Sequence, residues 1–416
     1  MRTLFSLGSI ALSNFVDDEE PLYAPMTLAI CDQSQGGCSF VQLKERGIDP
    51  QLLYRHYWYR SGINEAMRAE LNSLAACVVE AAGLEPGDTV VDIGSNDGTL
   101  LRGYAVPSLQ KIGFEPATNV IGRDGDVTII EEFFGRKSYE RVVGDGRKAR
   151  AVTAIAMFYD LEDPNTFVDD VRSLLADDGV FVVQMAYLSS MLNTNGIDNV
   201  CHEHVGYYSL GVLMELLDRH GLVVRDVKLN ATNGGSFRVY VQHRSRVGAP
   251  WPFDGAEDRV ADCLKQEQRI GTNDYDDFVV RVTQIKDRVR AFVDSRLNAG
   301  DVFHVYGAST KGNTLLQVLG LDRRHIAAAA ERSPEKFGRR TVATDIPIVS
   351  EAESRAGRPD YYIVLPWHFR EGILRREEEY LRSGGQMLFC LPRPELVSWS
   401  DGGLRTDPLA GDVVSA

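Results

Sequence analysis

Apolar residues recur at helical spacing through NEAMRAELNSLAACVVEAAGL, residues 64–84, and Pro86-Gly87 interrupts the pattern, so a helix is predicted there. A short apolar run, VVDIG at 90–94, follows at once and reads as a buried strand. The alternation continues with VTAIAMFY (152–159) as a strand, PNTFVDDVRSLLADDG (164–179) as a helix opened by Pro164, and VFVVQMAYL (180–188) as the next strand. Such alternation gives a parallel sheet covered by helices, with ligands gathering at the carboxyl ends of its strands. GVLMELLDRHG (211–221) is a further amphipathic helix, followed by strand-like VVRDVKL and, past the loop NATNGG, by SFRVYVQH (236–243).

From about 255 to 298, spaced Val, Ile, Leu and Phe among many charges predict one long helix or two linked ones. A new strand turns through glycines into a helix at DVFHVYGASTKGNTLLQVLG (301–320). The strand candidates IPIVS, YYIVLP and QMLFCLP, with the helix REGILRREEEYLRSGG, complete a second, smaller α/β unit. Residues 1–70 read as irregular and rich in turns, with an aromatic cluster in YRHYWYRSG (54–62). The expected division is an N-terminal lobe (1–70), a main α/β domain with a helical extension (71–298) and a C-terminal α/β domain (299–416).

At 416 residues there is room for two domains and a smaller module. A net charge of −14 argues against a nucleic-acid backbone as partner. No apolar stretch reaches the length of a membrane span, and the N-terminus lacks the features of a secretion signal, so a cytoplasmic enzyme with no membrane partner is expected. The six cysteines are scattered, which argues against a disulfide framework.

In VVDIGSNDGTL the strand enters a turn through Gly94 and Gly98 that lets the backbone approach a ligand closely. The spacing D-x-G-x-x-x-G lacks the Lys and Ser/Thr of a nucleotide-hydrolysing loop. It resembles the first motif of S-adenosylmethionine-dependent methyltransferases. Glu115, ending the next strand in KIGFEP, can accept from both ribose hydroxyls. The candidate cofactor set is Asp92, Gly94, Asn96, Asp97, Gly98, Glu115 and Gln184. An ordinary strand–turn–helix crossover is the plain alternative.

The segment DNVCHEHVGYYSL (198–210) lies just beyond a predicted strand and concentrates His202, Glu203 and His204, with Tyr207 and Tyr208 nearby. A histidine beside a glutamate suits proton removal from a carbon next to a carbonyl. A loop of satisfied polar groups is the alternative, and H-E-H lacks the spacing of an HExxH metal motif.

A wider resemblance now emerges. SNF, CSFVQL, YWYRSG, VVDIGSNDGTLL, CHEHVGYYSL, NGGSFRVY, VYGASTKGNTLLQ, ERSPEKFG, TDIPIVS and YYIVLPWHF together make the chain similar to bacterial C-methyltransferases of nucleotide-linked 4-keto-deoxysugars. The resemblance implies a class I methyltransferase doubly wound sheet, a small N-terminal lobe and a second, Rossmann-like C-terminal domain that holds the sugar nucleotide. It also implies enolisation: a base removes the proton next to the ketone, and the enolate attacks the methyl group of the sulfonium. His204 would be the base and Glu203 its positioning or proton-sharing partner, with Tyr57 or Tyr59 supplying a hydroxyl over the sugar.

Cys201 stands where the family usually has tyrosine, Asn233 where many relatives have histidine, and AMFYD (156–160) replaces a more usual Asn-Val plus histidine pattern. The implied substrate set is Cys201, His202, Tyr207, Asn233, Lys311, Asn313, Trp367 and His368, with Gly307, Gly312 and the helix start near Ser309 facing phosphate. Relatives commonly hold a structural zinc through two Cys-x-x-Cys pairs, whereas here only the wider pair Cys31 and Cys38 stands in that region. O- or N-methylation of a small molecule, and a non-catalytic binding protein on the same fold, remain open alternatives.

Overall fold

The computed structural model describes residues 1–45, 48–121 and 125–409. Thr89–Ile93 is buried along its whole length because it pairs on both sides and is covered on both faces. It lies within a seven-stranded sheet whose order is Leu222–Asn230, Ser236–His243, Leu175–Ala186, Ala149–Ile155, Thr89–Ile93, Gln110–Phe114, Val127–Ile130. Ser236–His243 runs antiparallel to both neighbours, and the other pairings are parallel. Chain order reverses between Thr89–Ile93 and Ala149–Ile155, which opens a crevice at their carboxyl ends.

The helix expected before this sheet spans Glu65–Ala82. The Asn64 side chain caps it by accepting from the Ala66 amide at 3.0 Å, and Gly83 ends it in the left-handed conformation. Its Met67, Leu71, Leu74, Ala75 and Val78 form the buried face.

The second α/β unit orders its strands Ile348–Ser350, Ala328–Glu331, Phe303–Tyr306, Tyr361–Val364, Gln386–Phe389, Glu395–Ser400, Gly403–Pro408, the last two antiparallel. The segment read as one helix at 370–385 divides into Arg370–Arg376 and Glu378–Arg382. Glu377 between them turns its carboxylate inward to the Tyr306 hydroxyl at 2.8 Å and to the Arg355 guanidinium. The charged stretch before this unit forms two linked helices, Ala256–Glu267 and Thr272–Asn298. The buried face of the second, from Tyr275 and Phe278 to Val293, shares one apolar cluster with Phe303, Val305 and Ile363 and with Met26 and Leu28 of the N-terminal lobe.

That lobe corrects an expectation. Instead of irregular turns it is a four-stranded antiparallel sheet of Arg2–Ala11, Tyr23–Ile30, Val41–Leu43 and the distant Gly206–Tyr207. Arg2–Ala11 is an edge strand with two register shifts, so no clean two-residue alternation marks it in the sequence.

Candidate active site

One cavity of about 520 Å³ opens at the crevice of the first sheet and continues toward the second α/β unit. Among the residues lining it are Asp92, Gly94, Asn96, Glu115 and Gln184 on one side and Tyr57, Cys201, Glu203, His204, Asn233, Lys311 and His368 on the other.

On the first side, Gly94 adopts φ +71°, and a Cβ there would stand 3.0 Å from Met157 Cγ. Asp92 lies directly before this turn and accepts from Thr153 Oγ1 at 2.6 Å; burial pushes its carboxyl up to about 7 against that bond. Glu115 accepts the Asn96 amide on Oε2 at 2.7 Å and the Ala117 amide on Oε1 at 2.8 Å, so each oxygen keeps a lone pair for a further donor. Burial raises its pKa, and the two amides oppose the rise.

Asn96 and Asp97 are occupied in another way. The Asn96 side chain accepts the Ser61 N–H on Oδ1 at 2.9 Å and donates from Nδ2 to the Tyr59 carbonyl at 2.9 Å, and Asp97 Oδ2 accepts the Gly62 amide at 2.8 Å. They clamp the aromatic segment over the glycine turn, and neither Asp97 nor Gly98 lines the cavity. Gln184 lines it while its Oε1 accepts from Arg238 at 2.7 Å and Asn230 at 3.2 Å.

On the second side, His204 Nδ1 donates to the Asn199 main-chain carbonyl at 2.9 Å. A carbonyl only accepts, so the bond fixes the proton on Nδ1 and leaves the Nε2 lone pair free. Burial and then the Lys311 charge hold the imidazole well below its usual range, hence neutral. Its ring lies 4.0 Å from that of Tyr159. Glu203 is buried, which raises its pKa, and its Oε2 has no partner. Lys311 Nζ donates to Asn199 Oδ1 at 2.6 Å.

The two candidate tyrosines separate. Burial, then the carboxyls of Asp160 and Glu203, raise the Tyr57 hydroxyl. Tyr59 is 37% exposed and reaches the cavity from the side of the glycine turn. Tyr54, not singled out by sequence, also lines the cavity and donates to the Glu203 carbonyl at 2.8 Å.

Of the substrate candidates, Cys201, Asn233, Lys311 and His368 line the cavity, and four others do not. His202 Nε2 lies 3.3 Å from the Ala24 carbonyl in the N-terminal lobe. Tyr207 donates to the Asn199 carbonyl at 3.3 Å, and Asn313 donates to the Asn14 carbonyl at 2.8 Å. Trp367 packs beneath Gly234 and donates to Asp198 Oδ2 at 3.0 Å. His368 is pushed down to about 3, first by burial and then by Lys311, and its Nδ1 is unpartnered.

Cys31 and Cys38 sit in a turn closed by the Ser39 amide on the Cys31 carbonyl at 2.9 Å. Both thiols are free, and among the described residues no group of three or more His, Cys, Asp or Glu is placed to hold a metal ion. Sequence reasoning missed Asp160, Asp198 and Asn199 as members of the site. For Asp160 the available signal was its place just past a predicted strand end.

Two family descriptions match the chain: "Methyltransferase domain" over residues 59–227 and "C-methyltransferase C-terminal domain" over 231–392. The C-methyltransferase NovU of Streptomyces niveus is 31% identical over 405 residues, covering 94% of this chain and 93% of that protein. Among solved structures, the mitomycin 7-O-methyltransferase MmcR aligns with a TM-score of 0.35 at 16% identity, over 44% of this chain and 55% of its own. A possible histamine N-methyltransferase of Thermotoga maritima aligns at 0.32 and 18%, over 44% and 95%. Scores this low carry no argument about substrate. With a full-length relative and both family descriptions in agreement, the chain belongs to the S-adenosylmethionine-dependent C-methyltransferase family.

Proposed function

We propose that the protein methylates a carbon next to the ketone of a nucleotide-linked 4-keto-deoxysugar. The observation that carries this reading is His204, neutral, with Nδ1 committed to Asn199 and Nε2 left to act as a base in a cavity shared with the cofactor candidates. S-adenosylmethionine supplies an electrophilic methyl group. The residues present suit that donor. Gly94 keeps the main chain bare where a Cβ would crowd Met157, and Glu115 retains acceptor capacity for two hydroxyls.

In this reading His204 removes the proton next to the ketone, and Glu203 and Lys311 line the same side of the cavity. Ser309, Thr310 and Lys311 line the end nearest the second unit. There Ser309 Oγ caps the Gly312 amide at 3.0 Å at the start of the helix Thr310–Leu319, and a helix start of this kind suits a diphosphate. The N-terminal lobe enters the site through Tyr54 and Tyr57.

The test is solvent exchange. In deuterated water, with a nucleotide-linked 4-keto sugar and no methyl donor, deuterium enters at the carbon next to the ketone. With the donor, carbon-resolved NMR shows the new methyl on that carbon. A methyl group found on oxygen or nitrogen, with no exchange, overturns the proposal.

A further inference from the structure

Asp160 ends the short turn Phe158–Asp160, just beyond the strand Ala149–Ile155 that flanks the crevice. It lines the cavity, yet its Oδ1 is buried without a partner. Glu203 Oε2 and Asp198 Oδ1 in the same cavity wall are likewise unpartnered. Three carboxyl groups thus share one enclosed space in which Lys311 is the cation acting on all of them. Burying three anions against one cation is costly, and a shared proton relieves the cost.

The three carboxyls differ in what they are given. Asp198 receives the Trp367 indole N–H at 3.0 Å and is drawn toward the anion by its own and the Asn199 amides. Glu203 is drawn the same way by its own amide and by the Cys201 side chain. Asp160 has no such donor: burial and the Glu203 charge oppose its ionisation, and only Lys311 favours it. Of the three, Asp160 is the one that keeps the proton.

We propose that Asp160 is a neutral carboxylic acid that donates a hydrogen bond to the ketone oxygen of the substrate and holds the enolate that follows. This rests on the C-methylation reading above. His204 Nε2 takes the proton from carbon, and the C–H pair becomes the carbon–carbon double bond of the enolate. The carbonyl pair moves onto oxygen, where the Asp160 O–H meets it. When the enolate carbon bonds to the methyl group, the carbon–sulfur pair leaves with sulfur and the ketone re-forms. Asp160 then still holds its proton. A protonated Asp donating to an oxyanion has precedent in enzymes that enolise ketones.

The groups facing Asp160 are Glu203, Cys201 and Tyr207 from the segment after the sheet, and Lys311 from the second unit. Tyr54 and Tyr57 face it from the N-terminal lobe, and Tyr159 is on its own turn. Glu203, Asp198 and Asp92 are further buried carboxyls of the cavity, so the wild-type-minus-variant infrared difference is what isolates Asp160.

The experiment uses the full chain near neutral pH. Difference infrared spectra of wild type and Asp160→Asn are expected to show a protonated carboxylic acid band in the wild type that the variant lacks. In parallel, Asp160→Asn, which still donates, and Asp160→Ala, which does not, are assayed with thymidine diphosphate-4-keto-6-deoxyglucose. Binding of S-adenosylhomocysteine by calorimetry verifies that each variant is folded. The expected result is a kcat within about tenfold of wild type for Asn and a loss of about 10²-fold or more for Ala, with solvent exchange falling in parallel. A wild-type-minus-variant difference that contains no acid band, or an Ala variant as fast as wild type, overturns the proposal. If wild type neither exchanges nor methylates the probe sugar, the C-methylation reading fails for that sugar, while the infrared band still decides the protonation of Asp160.

Discussion

Asn199 Oδ1 accepts the Lys311 ammonium at 2.6 Å, while the main-chain carbonyl of the same asparagine fixes His204 at 2.9 Å. One residue of the first α/β unit therefore orients the His204 imidazole and anchors the Lys311 ammonium contributed by the second. The two bonds use different atoms and can be separated by mutation.

Asn199→Ala removes the acceptor for Lys311 and keeps the carbonyl for His204. Loss of a hydrogen bond to a charged group is expected to cost about 1.5–3 kcal/mol, roughly ten- to a hundredfold in kcat/KM. The proton stays on His204 Nδ1, which nitrogen-15 NMR reads directly. An unchanged kcat/KM would show that Lys311 needs no such anchor.

His204→Gln removes the base without opening a large void. Turnover is expected to fall by about 10²–10⁴, and solvent exchange to vanish with it, while S-adenosylhomocysteine still binds. Full turnover in this variant would exclude the imidazole as base.

Lys311 depresses the His204 pKa, so Lys311→Met should raise it. A base works unprotonated, and raising its pKa means that acidification disables it sooner. The acid limb of the kcat profile is expected to move to higher pH in the variant, beyond any change in KM. A limb that stays in place contradicts the coupling.

Asp92 carries a carboxyl raised from 3.8 to about 7 in the folded chain, with burial as the main cause. A raised acid favours folding at low pH, and that contribution is lost as pH climbs from about 4 through 7. The difference amounts to at most about 4 kcal/mol. Asp92→Asn keeps an acceptor for Thr153 and cannot ionise, so its melting temperature should exceed that of wild type by more at pH 8 than at pH 5. Equal differences at both pH values would mean that Asp92 does not titrate in this window.

Much of the scaffold was legible because it is local. Asn64 and Gly83 punctuate a helix whose apolar face repeats at regular spacing, and SFRVYVQH is the strand Ser236–His243 to the residue. The glycine turn and Glu115 are local as well, since their shared place on the cavity wall follows from spacing along one βαβ unit. The N-terminal sheet was not legible, because its fourth strand, Gly206–Tyr207, is supplied from far along the chain. Tyr57 and Tyr59 could not be told apart for a similar reason. What separates them is Asn119, which grips the Tyr57 main chain at both N–H and carbonyl, and Asn96, which holds the Tyr59 carbonyl. Asp160 was visible as a letter, but its missing partner is a property of three segments meeting.

The pairing of Gly206–Tyr207 with Val41–Leu43 stitches the stretch that carries His204 to the N-terminal lobe, and the main sheet has no part in that stitch. The glycine turn with Glu115 and the stretch that carries His204 are consequently held by different parts of the polypeptide. Under the proposed C-methylation, exchanging the lobe between relatives would re-aim the imidazole while the glycine turn stands, a way to shift the methylated carbon without rebuilding the main sheet.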